Sequence, residues 1–367
     1  MRVQKIELVD FRCYETANLE LQAGVTAIIG DNGSGKTSLL EAVGWVATGR
    51  SLRGVPDAAL VRDGATQAIL RAEIRGAERQ QLVEAELHGS GRNRILVNRN
   101  PIARLRDLLG VLRITVFAPD DLELVKGGPA GRRSYLDDLL VSIAPRYEAT
   151  RADYERVLRH RNALLRGRAT DAEATATLDV FDEQLARAGA ELTYGRLHLV
   201  QRLAPVVNDA YRALAARADA VTMHYEADWF GVEHTSRDDL VAALQAALGA
   251  RRRQERERGQ TLVGPHRDEL RLLVDAHDAR TQTSQGEQRS LAVALRLSSH
   301  QVCITVTGEE PVLLLDDVFS ELDPQRSAAL LAQLRAEQTL LTTAGALPEG
   351  VHPGQVLRVT DGRLVWS

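Results

Sequence analysis

The chain has 367 residues, 44% of them hydrophobic and 26% charged, with a formal charge of −4 and two cysteines, Cys13 and Cys303. These are the proportions of an ordinary globular protein, long enough for two or three domains at about 100–200 residues each. They exclude a disulfide framework, a four-cysteine zinc site and a whole-chain positive field, so any binding of nucleic acid needs a local patch. The N-terminus has no apolar signal core, and no uninterrupted apolar run approaches about 18 residues, so a cytoplasmic protein without membrane contact is expected.

Val3, Ile6 and Leu8 open a strand, Leu19 and Leu21 alternate in another, and residues 25–29 form a short β-rich apolar run. That run ends in Gly30, Asp31, Asn32, Gly33, Ser34 and Gly35, a stretch that cannot be regular structure. From Lys36 to about Thr48 a helix follows, with Leu39, Leu40, Val43 and Ala47 on one face and Gly49 as its stop. Further strands are predicted around 67–75, 81–87, 94–97 and 114–117. Beyond the glycine-rich residues 127–131 the pattern becomes almost wholly helical up to about Arg258. One helix runs from about 145 to 166, with Tyr147, Tyr154, Leu158 and Leu165 in register. Another runs from about 174 towards 215, with a kink expected at Pro205, and residues 167–173 link the two. Few heptads are sustained, so the pair reads as a bundle rather than an extended coiled coil. From Gln260 strands return at 270–274, 312–315 and 339–342, separated by helices at 289–298 and near 325–336. An α/β fold is expected: a head built from both termini, residues 1–126 and 259–367, with a helical arm inserted at 127–258.

The loop chemistry is specific. Gly30 to Thr37 fits G-x-x-x-x-G-K-S/T, with an apolar strand before it and a helix after it. Glycines let successive N–H groups face a phosphate, and the helix adds its positive dipole end. Lys36 would reach the β- and γ-phosphates of ATP, the Thr37 hydroxyl would ligate Mg²⁺, and Ser38 continues the motif. Lys36 stands out in a chain whose 46 basic residues include only two other lysines. Far downstream, a buried-strand run ends in Asp316 and Asp317, at the strand edge where ligands of open α/β sheets collect. Asp316 would hold Mg²⁺, directly or through water, and Asp317 would orient or deprotonate an attacking water.

Ser320-Glu-Leu-Asp323 is similar to the D-loop of ABC-type ATPases, and Ser284-Gln-Gly-Glu-Gln-Arg289 resembles their signature motif at the head of a helix. In that superfamily two heads sandwich two ATPs, and each signature serine caps the γ-phosphate held by the opposite head. Ser284 and Gly286 would form that anion contact. Gln285 departs from the transporter pattern. The loop sequence, Gly264-Pro-His-Arg-Asp268, the signature and the run from Leu313 to Asp323 together resemble the bacterial RecF family. Asp10 to Tyr14, Phe117 to Leu122, Arg132 to Asp137 and Arg159 to Leu165 extend the likeness over nearly the whole chain.

The resemblance implies a P-loop ABC-type head, related to those of the structural-maintenance-of-chromosomes proteins, with a short helical arm. It implies an ATP-dependent homodimer that binds DNA at single-stranded/double-stranded junctions without sequence preference, with a weak DNA-stimulated ATPase as its switch and timer. It further implies action with RecR and RecO to load the RecA recombinase at gaps, in recombinational repair, replication and the SOS response to damage. A transporter ATPase subunit and a nonenzymatic structural head are the alternatives. Arg12 is either a phosphate contact or a surface arginine. Residues 119–121 occupy the place of the usual Q-loop glutamine, and no histidine follows the strand ending near Thr342, so the γ-phosphate switch is unassigned. His266 reads as structural, and both cysteines read as inert. The basic runs at 151–168 and 251–258 are interrupted by acids and read as solvated helix faces, with phosphate contact as the mode of any DNA binding.

Overall fold

The computed structural model describes residues 1–76, 79–167, 172–215, 219–231, 236–334, 336–360 and 362–366. Two compact units are present: one comprises Met1–Leu122, Asp209–Arg217 and Arg289–Ser367, the other Glu123–Asn208 and Ala218–Gln288.

The first unit opens with β1 (Arg2–Phe11), β2 (Tyr14–Glu20), β3 (Gly24–Ile29) and α1 (Lys36–Thr48), followed by β4 (Gln67–Arg75), β5 (Gln80–His88), β6 (Arg94–Val97), β7 (Asn100–Pro101) and β8 (Ile114–Phe117). The second unit contributes α2 (Glu123–Lys126), α3 (Pro129–Ile143), α4 (Arg146–Arg166), most of α5 (Ala172–Ala215), β9 (Val221–Glu226), α6 (Arg237–Arg258), β10 (Glu269–Val274), β11 (His277–Asp278) and the start of α7 (Gln285–Thr307). The chain closes in the first unit with β12 (Val312–Asp316), α8 (Pro324–Gln333), β13 (Gln338–Thr343), β14 (Gln355–Thr360) and β15 (Arg363–Trp366).

Two sheets build the first unit. Among the described residues one is antiparallel, in the order β2-β1-β4-β5-β6-β7. The other has the order β15-β14-β3-β13-β12-β8 and is parallel except for β15. Val3, Ile6, Leu8 and Phe11 of β1 are buried, with the register shifted by an irregularity between Val3 and Lys5, whereas Val312 to Leu315 of β12 are all buried, as a central parallel strand requires. Helix α1 packs on β4 of one sheet and on β12 and β13 of the other. That explains why it is apolar nearly all round, with Leu40, Ala42, Val43, Trp45 and Val46 at most 1% exposed.

In the second unit the expected α4 and α5 form, and α5 runs unbroken through Pro205. The almost wholly helical reading fails at β9. Val221 and Met223 alternate inward there, and β9 pairs antiparallel with β10, some fifty residues onward. Strand β10, counted with the head in the sequence reading, packs in this unit. The arginine runs also differ from expectation. Arg161 is fully buried, donating to Asp182 (2.6 Å), Glu255 (2.6 Å) and Thr261 (2.8 Å), and Arg151 is buried against Asp138 and Glu148. A buried guanidinium needs such partners, and the helix period cannot reveal acids that are distant in sequence.

The Gly264–Asp268 motif is a polar keystone of this unit. Arg196 forks onto Asp137 (2.7 and 2.8 Å) and also donates to the Pro265 carbonyl (2.7 Å). The Asp268 carboxylate accepts from the Tyr225 hydroxyl (2.7 Å) and the Trp229 indole (3.0 Å). His266 lies 2.6 Å from the Tyr154 hydroxyl through Nδ1 and 3.3 Å from the Thr261 carbonyl through Nε2, which suits the neutral Nε2–H tautomer. Burial pushes the His266 pKa down to about 4 and the Asp268 pKa up to about 6.

As pH falls from the ordinary histidine value of 6.5 to about 4, the unfolded chain takes up a proton that folded His266 refuses, so this residue removes stability. Asp268 acts oppositely: its contribution is present below its ordinary value of 3.8 and is lost as pH rises through about 6. In Asp268→Asn only the histidine effect remains. Denaturant unfolding at successive pH values should therefore show the unsubstituted chain gaining on Asp268→Asn, by of order 2 kcal/mol, between about pH 6 and 4. Parallel pH profiles would contradict this.

Candidate nucleotide-binding site

Strand β3 ends at Ile29, level with Thr343 of β13 on one side and Arg358 of β14 on the other, and the loop from Gly30 to Gly35 leads into α1. Its glycines have separate causes. Gly33 (φ 83°) and Gly35 (φ 114°) are left-handed, and a Cβ on Gly35 would lie 2.6 Å from Cys13 Sγ. Gly30 is needed for closeness instead, since its Cβ would meet the Val359 carbonyl of β14 at 2.2 Å. The loop is also held from outside, by the Tyr14 hydroxyl donating to Gly35 O (3.0 Å) and the Gly362 N–H donating to Ser34 O (3.3 Å).

Within the loop, the buried Lys36 ammonium donates to Gly30 O (2.7 Å) and Asp31 O (2.8 Å). A compact charge with three donors suits this ring of carbonyls, and a flat guanidinium does not. Asp31, Asn32 and Gly33 form the exposed rim, and Ser38 N–H closes the first turn onto Gly35 O (3.0 Å). The buried Ser34 Oγ has no hydrogen-bond partner among the described residues. An orphan hydroxyl in a loop of this kind fits a phosphate oxygen.

Asp316 ends β12, and its Oδ1 accepts from two hydroxyls, Thr37 (2.9 Å) and Thr342 (2.8 Å). Thr37 and Asp316 are 279 residues apart in the chain. They meet because β13 lies between β3 and β12 in one parallel sheet. A hydroxyl beside a carboxylate is a hard-oxygen pair of the kind Mg²⁺ takes, with phosphate oxygens and water completing its shell. Among the described residues no group of three or more His, Cys, Asp or Glu gathers as a separate metal site.

Asp317 follows in the left-handed region (φ 50°), which aspartate tolerates better than most residues, and the chain turns out of the strand there. Its N–H donates to Thr342 Oγ1 (3.0 Å) and its carbonyl accepts from the Ser320 hydroxyl (2.7 Å). Thr342 is the site residue that sequence reasoning missed. The signal was the expected end of a strand there, without the histidine sought beside it. In the stretch expected as the D-loop, Asp323 is the N-cap of α8, and the Arg326 N–H holds its carboxyl below the ordinary range.

The other expected residues are Arg12, Ser284 and Gly286. Arg12 forks onto Glu41 of α1 (2.8 and 3.0 Å) and donates to the Ala59 carbonyl (3.0 Å). Glu41 is 1% exposed and also accepts from Ser51 (2.6 Å), so Arg12 is the counter-charge of a buried carboxylate. Ser284 and Gly286 belong to the second unit. Exposed Ser284 heads α7 in a capping box: its N–H and hydroxyl both donate to Glu287 Oε2 (2.7 Å each), and Glu287 N–H returns to its Oγ (3.3 Å). In the Q-loop position, Asp121 accepts from the Ala118 N–H (2.9 Å) and from Arg296 of α7 (2.8 Å).

Lys36→Arg should bind ATP at least about a hundredfold more weakly, because the two charge-assisted contacts expected with the β- and γ-phosphates, about 1.5–3 kcal/mol each, lose their geometry. Titration with a fluorescent ATP analogue reads the affinity. Unchanged affinity in a folded variant would remove Lys36 from the site.

The profile of the RecF/RecN/SMC N-terminal domain family matches residues 2–344. The chain is 46% identical over 373 residues to the DNA replication and repair protein RecF of Streptomyces avermitilis, covering 99% of each. It superposes with a TM-score of 0.93 and 30% identity on the recombination mediator protein RecF with ATP, of the RecFOR pathway, over 100% of this chain and 97% of that one. An Smc head bound to the C-terminal winged-helix domain of ScpA, 15% identical, shares the fold at a TM-score of 0.58 over 100% of this chain and 98% of that one. Matched to RecF relatives over 99% of its length in sequence and 100% in fold, this chain belongs to the RecF family.

Proposed function

We propose that this protein is an ATP-driven DNA-binding switch of recombinational repair and replication. The observation that carries the reading is the Thr37–Asp316 contact, which joins the phosphate loop to the acidic strand end. Lys36 and the loop N–H groups hold the β- and γ-phosphates of ATP, and Thr37 with Asp316 holds Mg²⁺, which supplies neutralisation of phosphate charge. Asp317, on a backbone fixed in the left-handed region, orients the attacking water and takes its proton. Hydrolysis is weak, stimulated by DNA, and works as a timer. The likeness to relatives named for replication and repair, and to an ATP-bound mediator of the RecFOR pathway, supports the repair role.

Ser284 of one copy closes on the γ-phosphate held by Lys36 of a second copy, so ATP completes a homodimer. The paired heads gather enough arginine contacts to hold duplex DNA and its junctions with single strands, by phosphate rather than by base. RecR, with RecO and RecA downstream, is the partner set, and the cytoplasm the place of action. No described helix is long and apolar enough to cross a membrane.

Sedimentation with ATP, ADP and duplex DNA tests the reading. The unsubstituted chain should dimerise with ATP and not with ADP. Two sites that each lose a charged contact of about 1.5–3 kcal/mol shift that equilibrium at least roughly a hundredfold. Ser284→Arg should bind ATP as a monomer, and Asp317→Asn should remain a dimer with ATP. Dimerisation of Ser284→Arg with ATP would overturn the sandwich.

DNA affinity should require ATP and should fall linearly in log–log form with salt, whatever the sequence of the duplex. Equal affinity with and without nucleotide in a filter-binding titration would contradict it.

A further inference from the structure

We propose that Thr342 is the positioning residue of this site, setting both the carboxylate of Asp316 and the backbone of Asp317 through one hydroxyl. The inference rests on the reading that Asp316 faces the metal ion and Asp317 the attacking water. Thr342 is 0% exposed and lies opposite Asp316 in the β12–β13 pairing and opposite Ile28 in the β13–β3 pairing. It therefore stands between the two strands that carry the loop and the acids.

A hydroxyl has one proton and two lone pairs, so its contacts can be assigned. The Asp317 N–H (3.0 Å) can only donate, which occupies a lone pair of Thr342 Oγ1. The proton has two acceptors in range, Asp316 Oδ1 at 2.8 Å and the Leu315 carbonyl at 3.5 Å. The shorter contact to an ionised oxygen is the stronger, so the proton lies on Asp316. Thr37 shares that oxygen, and it is the group expected to turn towards Mg²⁺. Thr342 has no such second task. It remains to hold the carboxylate's orientation while Thr37 changes partner.

The backbone contact carries the other half. Asp317 is in a left-handed conformation (φ 50°), and its N–H is satisfied by the Thr342 side chain. A β-branched residue with a restricted χ1 in a buried strand keeps that hydroxyl in one place. Valine has the same shape and lacks the hydroxyl. Serine has the hydroxyl and lacks the branch.

The test compares the full chain with Thr342→Val, Thr342→Ser and Asp316→Asn. Mn²⁺ affinity in the presence of a non-hydrolysable ATP analogue is read by electron paramagnetic resonance, and the thermal midpoint is read without nucleotide. Thr342→Val should weaken Mn²⁺ about 10–100-fold, the range for loss of a group that orients a metal ligand. Nucleotide affinity without metal should change less than about threefold, because the Lys36 contacts are untouched. Thr342→Ser should recover most of the Mn²⁺ affinity. Unchanged Mn²⁺ binding in Thr342→Val, with loss in Asp316→Asn, would overturn the proposal alone. Unchanged Mn²⁺ binding in Asp316→Asn would overturn the reading on which it rests. A lowered thermal midpoint in Thr342→Val with normal Mn²⁺ affinity would reduce Thr342 to a packing residue and also overturn it.

Discussion

The parallel register of three strands is the constraint on which this site depends. With β13 held between β3 and β12, Thr343 lies level with Ile29 and Thr342 with Asp316, so the loop and the acids leave the sheet at one edge. Apolar burial fixes that register. Ile28, Leu314 and Leu341 are each at most 1% exposed. A slip of one residue would exchange the strand faces and drive a carboxylate towards the core, at a cost that no local contact offsets. The hydrogen bonds from Thr37 and Thr342 are short because the sheet has already placed their partners.

Helix α1 transmits the same order to the loop. It lies against both sheets, and its first residue, Lys36, is 6% exposed. Gly44 makes room on the helix for Leu52 of the loop that follows it, since a Cβ there would come within 2.4 Å of that side chain. Glu41 is the exception in an apolar helix, and Arg12 and Ser51 meet its charge. Removing one partner of such a buried pair is destabilising by about 3–5 kcal/mol, because the other charge stays buried and unpaired. Arg12 therefore supports the loop's helix from behind. Val359 and Gly362 of the β14–β15 hairpin and its turn bear on Gly30 and Ser34.

In the second unit the same chemistry is turned to architecture. Arginines that read as a charged surface include Arg161, which is fully buried, and Arg196 of the long helix is 3% exposed. Both are matched by acids from other elements. Others stay outside in exposed pairs, such as Arg253 with Glu257, which add little stability. The Gly264–Asp268 turn, at first a motif without a task, joins α3, α4, α5 and β9 through Arg196, Tyr154, Tyr225 and their partners.

The amino-acid sequence by itself determined whatever is local. The loop glycines, Lys36, Thr37, the helix after them, the apolar run ending in Asp316 and Asp317, and the serine at the head of α7 follow from neighbours a few residues apart, where periodicity and backbone sterics act. The tertiary structure alone decided what depends on distant pairing. It made a strand of residues 221–226, because the partner edge comes from β10. It buried Arg161 among acids from two other helices and gave Arg12 to Glu41. It also set Thr342 between two aspartates, which only the three-strand register brings within reach. Local pattern carries the sign and size of a side chain but not its partner, and for buried polar groups the partner decides the role.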